Sequence, residues 1–157
     1  MVRFKNRWVL IEILGGPVTS KSGEEYENHH INSITAGMLH NTLKDAIAAN
    51  YGEYGLGCVQ SSLNVKYFSN HTNIGILRVS RDYHQMLLVS LFFIKEINGS
   101  PCYITVRHIG GTILKAQRAA IQYDLETLLR RQQQGNSSLD VDRLSRNAKE
   151  EIMKIES

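Results

Sequence analysis

Residues 107–112 (RHIGGT) have the composition of a phosphate-binding turn. The pattern predicts a strand that ends at the two glycines and a helix that begins at Thr112. Backbone N–H groups at a helix start have no partners within the helix, and the helix dipole adds partial positive charge there. Lys115 and Arg118 would add full charges on the first turns of this helix. These residues favour phosphate binding, and the alternative is a tight turn whose glycines only relieve backbone strain.

Cationic residues also occur at the beginning of the chain and on a predicted hairpin. Arg3, Lys5 and Arg7 alternate before the first acidic residue of the chain. Lys66 and Arg78 lie on the two strands of the predicted hairpin. The net charge is only +3, so the overall charge indicates little about partners. The uneven distribution of the cations suits a polyanionic ligand.

The composition is that of one globular domain. Of the 157 residues, 42% are hydrophobic and 21% are charged. This length and hydrophobic content are sufficient for a hydrophobic core. Cys58 and Cys102 are far apart and lack CxxC spacing, so we expect reduced thiols in an intracellular protein. The N-terminus lacks the pattern of a signal peptide, and the apolar run at residues 87–94 is too short to span a bilayer. We therefore expect no membrane partner.

Hydrophobic periodicity predicts the order strand, helix, strand, strand, helix, strand, followed by helices. Right-handed connections fold this order into an α/β (α+β) sandwich, with a ferredoxin-like βαββαβ antiparallel sheet and additional C-terminal helices. We expect a ferredoxin-like domain at residues 1–132, followed by a linker and an amphipathic helical extension at residues 133–157. The predicted strands are residues 8–14, 61–68, 74–81 and 102–109. The predicted helices are residues 31–52, 82–97 and 112–132 and one that begins at Ser138 or Asp140, and residues 17–30 are predicted as a polar loop.

Alternation along the strands assigns two faces to the sheet. The side chains expected to face the first two helices are Val9, Ile11, Ile13, Leu63, Val65, Leu77 and Val79. The opposite face is expected to carry Trp8, Leu10, Asn64, Lys66, Ile76, Arg78, Thr105 and Arg107. Because unpaired cations are costly to bury, we expect the third helix to cover the apolar half of this face and to leave the basic half open. The alternative is that a partner covers it.

Signatures of catalysis and of metal binding do not appear in the sequence. It contains no GxSxG or HExxH motif, and residues 110–112 lack the P-loop pattern. His29 and His30 have acidic neighbours but no rigid element or cysteine to complete a metal site. We therefore predict no catalytic residue and no metal ligand. If the polyanionic ligand is RNA, the strand at residues 74–81 has no aromatic residue on which its bases could stack. We would then expect the protein to recognise the phosphates and the shape of the RNA.

Three motifs occur together in one order and spacing. They are MVRFKNRW at residues 1–8, VKYF at 65–68 with GILRV at 75–79, and HIGGTI at 108–113 followed by Gln117 and by IQY at 121–123. This arrangement, which covers most of residues 1–130, resembles the Pop-five family of ribonuclease P and ribonuclease MRP subunits. Two positions depart from the family pattern. Lys66 replaces a frequent arginine, and Leu114 stands where a basic residue is common, one place before Lys115.

The resemblance implies a non-catalytic protein of a ribonucleoprotein that removes 5′ leaders from precursor tRNA. In such a particle the RNA subunit and its Mg²⁺ ions perform the cleavage, and the protein itself binds no cofactor. The protein would brace the catalytic RNA and pair with the thirty-kilodalton ribonuclease P subunit, which has a TIM-barrel-like fold, among the other holoenzyme proteins. The form shared with ribonuclease MRP would extend the role to ribosomal RNA processing, in the nucleus and nucleolus.

Two groups of residues are expected to make these contacts. The candidates for RNA binding are Arg3, Lys5, Arg7, Lys66, Arg78, Arg107, Gly110, Gly111, Thr112, Lys115 and Arg118. Leu88 and Phe92 lie in a helix with large apolar residues on all sides, and we hypothesise that they contact the protein partner. The alternative is a helix wedged between the sheet and the terminal helix. A competing function is a small-ligand-binding regulatory module, because ferredoxin-like folds also bind effectors.

Overall fold

The computed structural model describes residues 5–19, 25–27, 34–133 and 140–156. Within these ranges, the strands are β1 (Asn6–Gly15), β2 (Pro17–Thr19), β3 (Glu25–Glu27), β4 (Asn64–Phe68), β5 (Ile74–Ser80), β6 (Glu96–Ile97) and β7 (Ser100–Gly110). The helices are α1 (Ala36–Gln60), α2 (His84–Phe93), α3 (Ile113–Gln133) and α4 (Val141–Met153), and a 3-10 turn at Arg81–Tyr83 precedes α2.

The main sheet is antiparallel and has the strand order β4-β5-β1-β7-β6. The apolar strand β1 lies at its centre, between β5 and β7, because its side chains are buried on both faces. Strands β1, β4, β5 and β7 alternate with α1 and α2 as βαββαβ, so the predicted ferredoxin-like fold is confirmed. Strands β2 and β3 form a separate two-stranded antiparallel sheet, and the prediction of a polar loop is wrong for these residues.

One hydrophobic core lies between the sheet and helices α1 and α2. Val9, Ile11 and Ile13 of β1 are buried here, which confirms the predicted face of this strand. Residues at helical spacing on α1, including Leu39 and Leu43, pack against them. The remaining predicted residues of this face, Leu63, Val65, Leu77 and Val79, belong to the same core.

A second core lies on the opposite face of the sheet, beneath α3 and α4. Trp8 and Leu10 pack there against Ala116 and Ala120 of α3. The third helix therefore covers the apolar part of this face, as predicted. The terminal helix contributes as well, because Ile152 of α4 is fully buried in the same core. The division at residue 132 into a domain and an extension stays a prediction.

The start of α1 follows ordinary capping rules, but its end does not match the prediction. The Thr35 hydroxyl accepts a hydrogen bond from the Met38 N–H at 3.2 Å and caps the helix. Gly52 has a φ of 66° and kinks the chain, yet helical residues resume beyond it. Because Gly55 and Val59 are buried, packing extends the helix to Gln60, and the predicted end near Gly52 is wrong.

Helix α2 is shorter than predicted. It ends at Phe93 because Ile94 adopts an extended conformation. The chain then forms β6 and a tight turn, in which Asn98 and Gly99 have φ values of 51° and 76°. Asp82 makes no capping hydrogen bond and lies in the 3-10 turn, so its predicted role as the helix cap is wrong. Among the helices of the described ranges, none has the length and apolar content that a membrane span requires.

Candidate nucleic-acid interface

Segments from distant parts of the sequence meet at one end of the sheet. Asn6 of β1 lies opposite Ser80 of β5, and Trp8 lies opposite Arg78 on one side and Gly110 on the other. Because β1 begins where β5 and β7 end, cations that are far apart in the sequence become neighbours. We call this region the sheet-end surface. Its residues are Lys5, Arg7, Arg78, Arg81, Gly110, Gly111, Thr112, Lys115 and Arg118.

Gly110 forms the buried half of the turn between β7 and α3. A Cβ atom at this position would lie 3.2 Å from His108 Nε2, 3.4 Å from the Thr112 carbonyl oxygen and 3.5 Å from Lys115 Cβ. The φ of Gly110 is outside the left-handed region, so strain relief does not explain this glycine. Close packing does explain it. His108 Nε2 is itself buried and has no hydrogen-bond partner among the described residues.

Gly111 forms the exposed half of the same turn. A Cβ atom here would have one near neighbour, Arg7 Nη1, at 3.3 Å. The guanidinium of Arg7 therefore lies beside the bare backbone of the turn, although Arg7 and Gly111 are more than a hundred residues apart. The arrangement brings together a full positive charge and accessible peptide groups, as a phosphate-binding turn requires.

The beginning of α3 adds to this positive charge. Its first turn has no acidic residue, so no carboxylate offsets the partial positive charge of the helix dipole. Thr112 precedes the helix, and its carbonyl oxygen accepts a hydrogen bond from the Ala116 N–H at 3.4 Å. Lys115 and Arg118 are both exposed. The structure therefore brings the predicted residues of the turn and the helix into one surface.

Two arginines extend the surface along β5. Arg78 is half-buried, and its Nε and Nη2 atoms lie 3.2 and 3.1 Å from the Asn6 side-chain oxygen when that amide is oriented to accept. Arg81 follows β5, and its backbone N–H donates to the Lys5 carbonyl oxygen at 2.8 Å. Arg81 is not among the residues that the sequence predicts to bind RNA. Its position directly after a strand that already carries Arg78 was the available signal.

Lys66 and Arg107 each contact oxygen atoms of the chain itself. Arg107 Nε donates to Glu12 Oε2 at 2.6 Å, its Nη2 forms an ion pair with the same oxygen, and its guanidinium lies 6.0 Å from the Tyr123 ring centroid. Lys66 Nζ donates to the Glu156 carbonyl oxygen at 3.3 Å, just beyond α4. Both residues remain partly exposed, so the basic half of this face is open in part at these two positions. Their role in RNA binding stays a prediction, and Arg3 lies outside the described residues.

The two residues of the proposed protein contact on α2 differ in their exposure to solvent. Phe92 is 70% exposed, so the alternative of a fully wedged helix is wrong at this position. Leu88 is half-buried and packs against the edge of the first core. The exposed rings of Phe92 and Phe93 meet edge to face, with their centroids 5.5 Å apart. An apolar surface therefore remains on α2 after the chain has folded.

A small polar cavity of about 110 Å³ lies between the β4–β5 turn, α3 and α4. Asp124 is almost fully buried beside it, and its Oδ1 accepts a 2.6 Å hydrogen bond from the Thr72 hydroxyl. Burial raises the pKa of Asp124, and the Thr72 hydrogen bond opposes this effect. Burial also raises the pKa of Tyr67 to about 12. Among the described residues, no cluster of three or more His, Cys, Asp or Glu side chains is arranged to hold a metal ion, and His29 and His30 lie outside them.

Comparison with known proteins identifies the family. The model of the Rpp14/Pop5 family matches residues 7–121, which is well over half of the chain. The chain belongs to the Rpp14/Pop5 family. The matched region of this Rpp14/Pop5 chain includes β1 from residue 7 onward, strands β4 and β5, and the turn at residues 110–112. It therefore includes most of the sheet-end surface.

Relatives of this Rpp14/Pop5 chain carry consistent names. The ribonuclease P/MRP protein subunit POP5 of Schizosaccharomyces pombe is 42% identical over 125 residues, which cover 78% of this chain and 87% of that protein. The human protein of the same name is 29% identical over 133 residues, covering 82% and 76%. A chain in the cryo-EM structure of yeast ribonuclease MRP aligns with a TM-score of 0.53 at 13% identity, covering 72% of this chain and 79% of that one. The last match supports the fold.

Proposed function

We propose that this chain is a protein subunit of ribonuclease P/MRP and that its sheet-end surface binds the folded RNA of the particle. Family membership supports the assignment, because named relatives in several eukaryotes are ribonuclease P/MRP subunits. The observation that carries the RNA-binding role is the position of Arg7 beside the exposed backbone of Gly111. Lys115 and Arg118 flank the same turn.

The chemistry of this surface suits phosphate recognition more than base recognition. Arginine and lysine neutralise backbone phosphates, and exposed peptide N–H groups donate hydrogen bonds to them without regard to base identity. Trp8 and Tyr67 are buried in the second core, so they are not available to stack on bases. The protein would therefore recognise the outline of a folded RNA.

In this proposal the chain performs no cleavage itself. The RNA subunit and its Mg²⁺ ions cleave the 5′ leader from precursor tRNA, and this protein braces the RNA in its active shape. The ribonuclease MRP form would act in ribosomal RNA processing, and both roles place the chain in the nucleus and nucleolus. The apolar surface at Leu88 and Phe92 would bind a protein subunit, for which the thirty-kilodalton ribonuclease P protein is our candidate.

Recovery of RNA with a tagged full-length chain tests this proposal. We expect ribonuclease P and MRP RNAs to be enriched with the wild-type chain, and a double variant, Lys115→Glu with Arg118→Glu, to recover about tenfold less of both. The matched control is Arg143→Glu with Lys149→Glu, which makes the same change of charge on exposed positions of α4. Equal RNA recovery by the two variants would contradict the proposal. Recovery of a small metabolite without RNA would support the regulatory-module alternative.

A further inference from the structure

Among the strands that the structure describes, β7 lies at the outer edge of the sheet along most of its length. β6 pairs only with Ser100 and Pro101. One further bond follows, from the Cys102 N–H to the Lys95 carbonyl oxygen at 2.8 Å. From residue 103 to residue 109, no strand within the described ranges pairs with the outer side of β7. Within the described ranges, the chain therefore begins to cover this edge and stops after three residues.

The first part of the uncovered edge is regular enough to accept a strand. Residues 103–106 keep an unbroken register with β1, and the irregularity of this pair comes later, near Arg107. Successive residues of an antiparallel strand direct their N–H and C=O groups alternately to the two sides, so about half of this segment presents both groups outward. Proteins usually protect such edges with charge, proline or a covering element. Here the exposed edge residue is Tyr103, which is uncharged.

An apolar groove of about 400 Å³ runs beside the same residues. One wall is formed by residues 103–106 of β7, and the other by Leu88, Leu91 and Phe92 of α2 together with Lys95. Lys95 Nζ lies 5.1 Å from the centroid of the Phe92 ring, so the groove has one cationic group above an exposed aromatic surface. A strand laid along β7 would point alternate side chains into this groove.

We propose that the open edge of β7 binds an extended segment of another protein subunit, which adds to the sheet as a further strand. Its backbone would pair with residues 103–106 and continue the line that residues 95–97 begin. Apolar side chains at alternate positions would fill the groove beside Leu88 and Phe92, and an acidic residue would pair with Lys95. This inference rests on the proposed protein contact of α2 and specifies how that contact is made.

The charges of the edge favour a different protein over a second copy of this chain. A second copy that paired edge to edge would bring residues 102–110 into the groove, and this segment contains no acidic residue. An occupant with an acidic and apolar extended segment complements both features of the groove.

Residue-resolved hydrogen exchange tests the backbone pairing without any substitution. The full chain is measured alone and within the purified ribonuclease P assembly. We expect exchange of the outward amides of residues 103–106 to slow by about tenfold or more in the assembly, together with protection of residues 88–93. Protection of residues 88–93 alone would overturn strand addition and leave the proposed protein contact intact. Protection of neither segment would overturn both, and protection that appears in the free chain on raising its concentration would show a second copy instead.

A charge reversal tests the chemistry of the occupant. We expect Lys95→Glu to reduce recovery of the protein partner by about tenfold while leaving recovery of the RNA unchanged. The matched control is Lys149→Glu, the same change at an exposed position of α4, which is far from the groove in sequence and does not line it. Equal partner recovery by both variants would overturn the acidic-segment assignment. If Lys95→Glu reduced recovery of the RNA and not of the protein partner, the groove beside β7 would be part of the RNA-binding surface, and the proposal would be wrong.

Discussion

Arg107 reaches across from β7 to Glu12 of the central strand, where its Nε donates to the carboxylate at 2.6 Å. Glu12 is only 6% exposed. A carboxylate in this position requires a partner, because an unpaired buried charge is costly. The pair explains how the central strand retains one acidic residue within an apolar run. It also explains why Arg107, among the cations of this face, is directed inward.

Removal of the Glu12 carboxylate should destabilise the fold. We expect Glu12→Ala to lower the free energy of unfolding by about 2–3 kcal/mol, because it leaves the half-buried Arg107 guanidinium without its partner. Urea denaturation followed by circular dichroism measures the change. The control is Glu126→Ala on the exposed side of α3, for which we expect a change within about 0.5 kcal/mol. An equally small effect of Glu12→Ala would show that the ion pair contributes nothing to stability.

The two glycines of the turn should respond differently to an added side chain. Gly110→Ala places a methyl group 3.2 Å from His108 Nε2 and 3.4 Å from a backbone oxygen, and we expect a loss of about 1–3 kcal/mol of stability. The Cβ atom that Gly111→Val adds meets only the far end of the flexible Arg7 side chain, so we expect the domain to keep its melting temperature. We expect this second variant to bind RNA about tenfold more weakly, because the side chain blocks phosphate approach. An unchanged dissociation constant in folded Gly111→Val would reject the role of the turn.

Asp124 should make stability depend on pH. Its pKa is raised above the ordinary value of 3.8 by burial, although Thr72, His71 and Arg131 all favour the ionised form. The folded state therefore binds a proton more tightly than the unfolded state, and ionisation of Asp124 weakens folding as the pH rises from about 4 through the folded pKa. Urea unfolding of the wild type and of Asp124→Asn between about pH 4 and about pH 7 isolates this effect, because the variant has no proton to lose at this position. We expect the variant to become more stable relative to the wild type as the pH rises, and a relative gain by the wild type would refute this sign.

The terminal helix should contribute to the stability of the whole fold. Ile152 is fully buried in the second core, and its neighbour Met153 is exposed. We expect Ile152→Ala to cost about 2–4 kcal/mol in unfolding free energy, because it removes apolar contacts and leaves a cavity beneath α4. Met153→Ala is the matched control, with an expected change within about 0.5 kcal/mol. A single cooperative transition with no loss of stability in Ile152→Ala would show that α4 is dispensable to the core.

Periodicity in the sequence predicts the two faces of the sheet but not the placement of every cation. The alternation of Val9, Ile11 and Ile13 assigns the buried face of β1 correctly because this side of the strand meets α1 and α2. Arg107 lies where the register between β1 and β7 shifts, and simple alternation assumes an unbroken register. Its partner Glu12 is 95 positions away, so no local pattern indicates the pair.

For the sheet-end surface, the sequence predicts the association of some residues and not of others. The turn at residues 110–112, Lys115 and Arg118 are neighbours in sequence, and a strand followed by a helix is sufficient to predict their association. The addition of Arg7 and Arg81 depends on which strands pair and in what register, and only the folded sheet determines that. The end of α2 depends likewise on tertiary packing, because the apolar run continues past the helix into Ile94 and Ile97, which are buried in the first core.

The salt dependence of RNA affinity measures directly whether the sheet-end surface binds phosphates. Six cationic side chains lie on the sheet-end surface, and full engagement predicts a slope of log affinity against log salt of about −4 for the wild type with ribonuclease P RNA. We expect Lys115→Ala with Arg118→Ala to make this slope shallower by about 1.4, and Arg143→Ala with Lys149→Ala, at exposed positions of α4, to leave it unchanged. A flat wild-type slope between about 50 mM and about 200 mM salt, or a slope that changes with Arg143 and Lys149 and not with Lys115 and Arg118, would contradict phosphate binding by this surface.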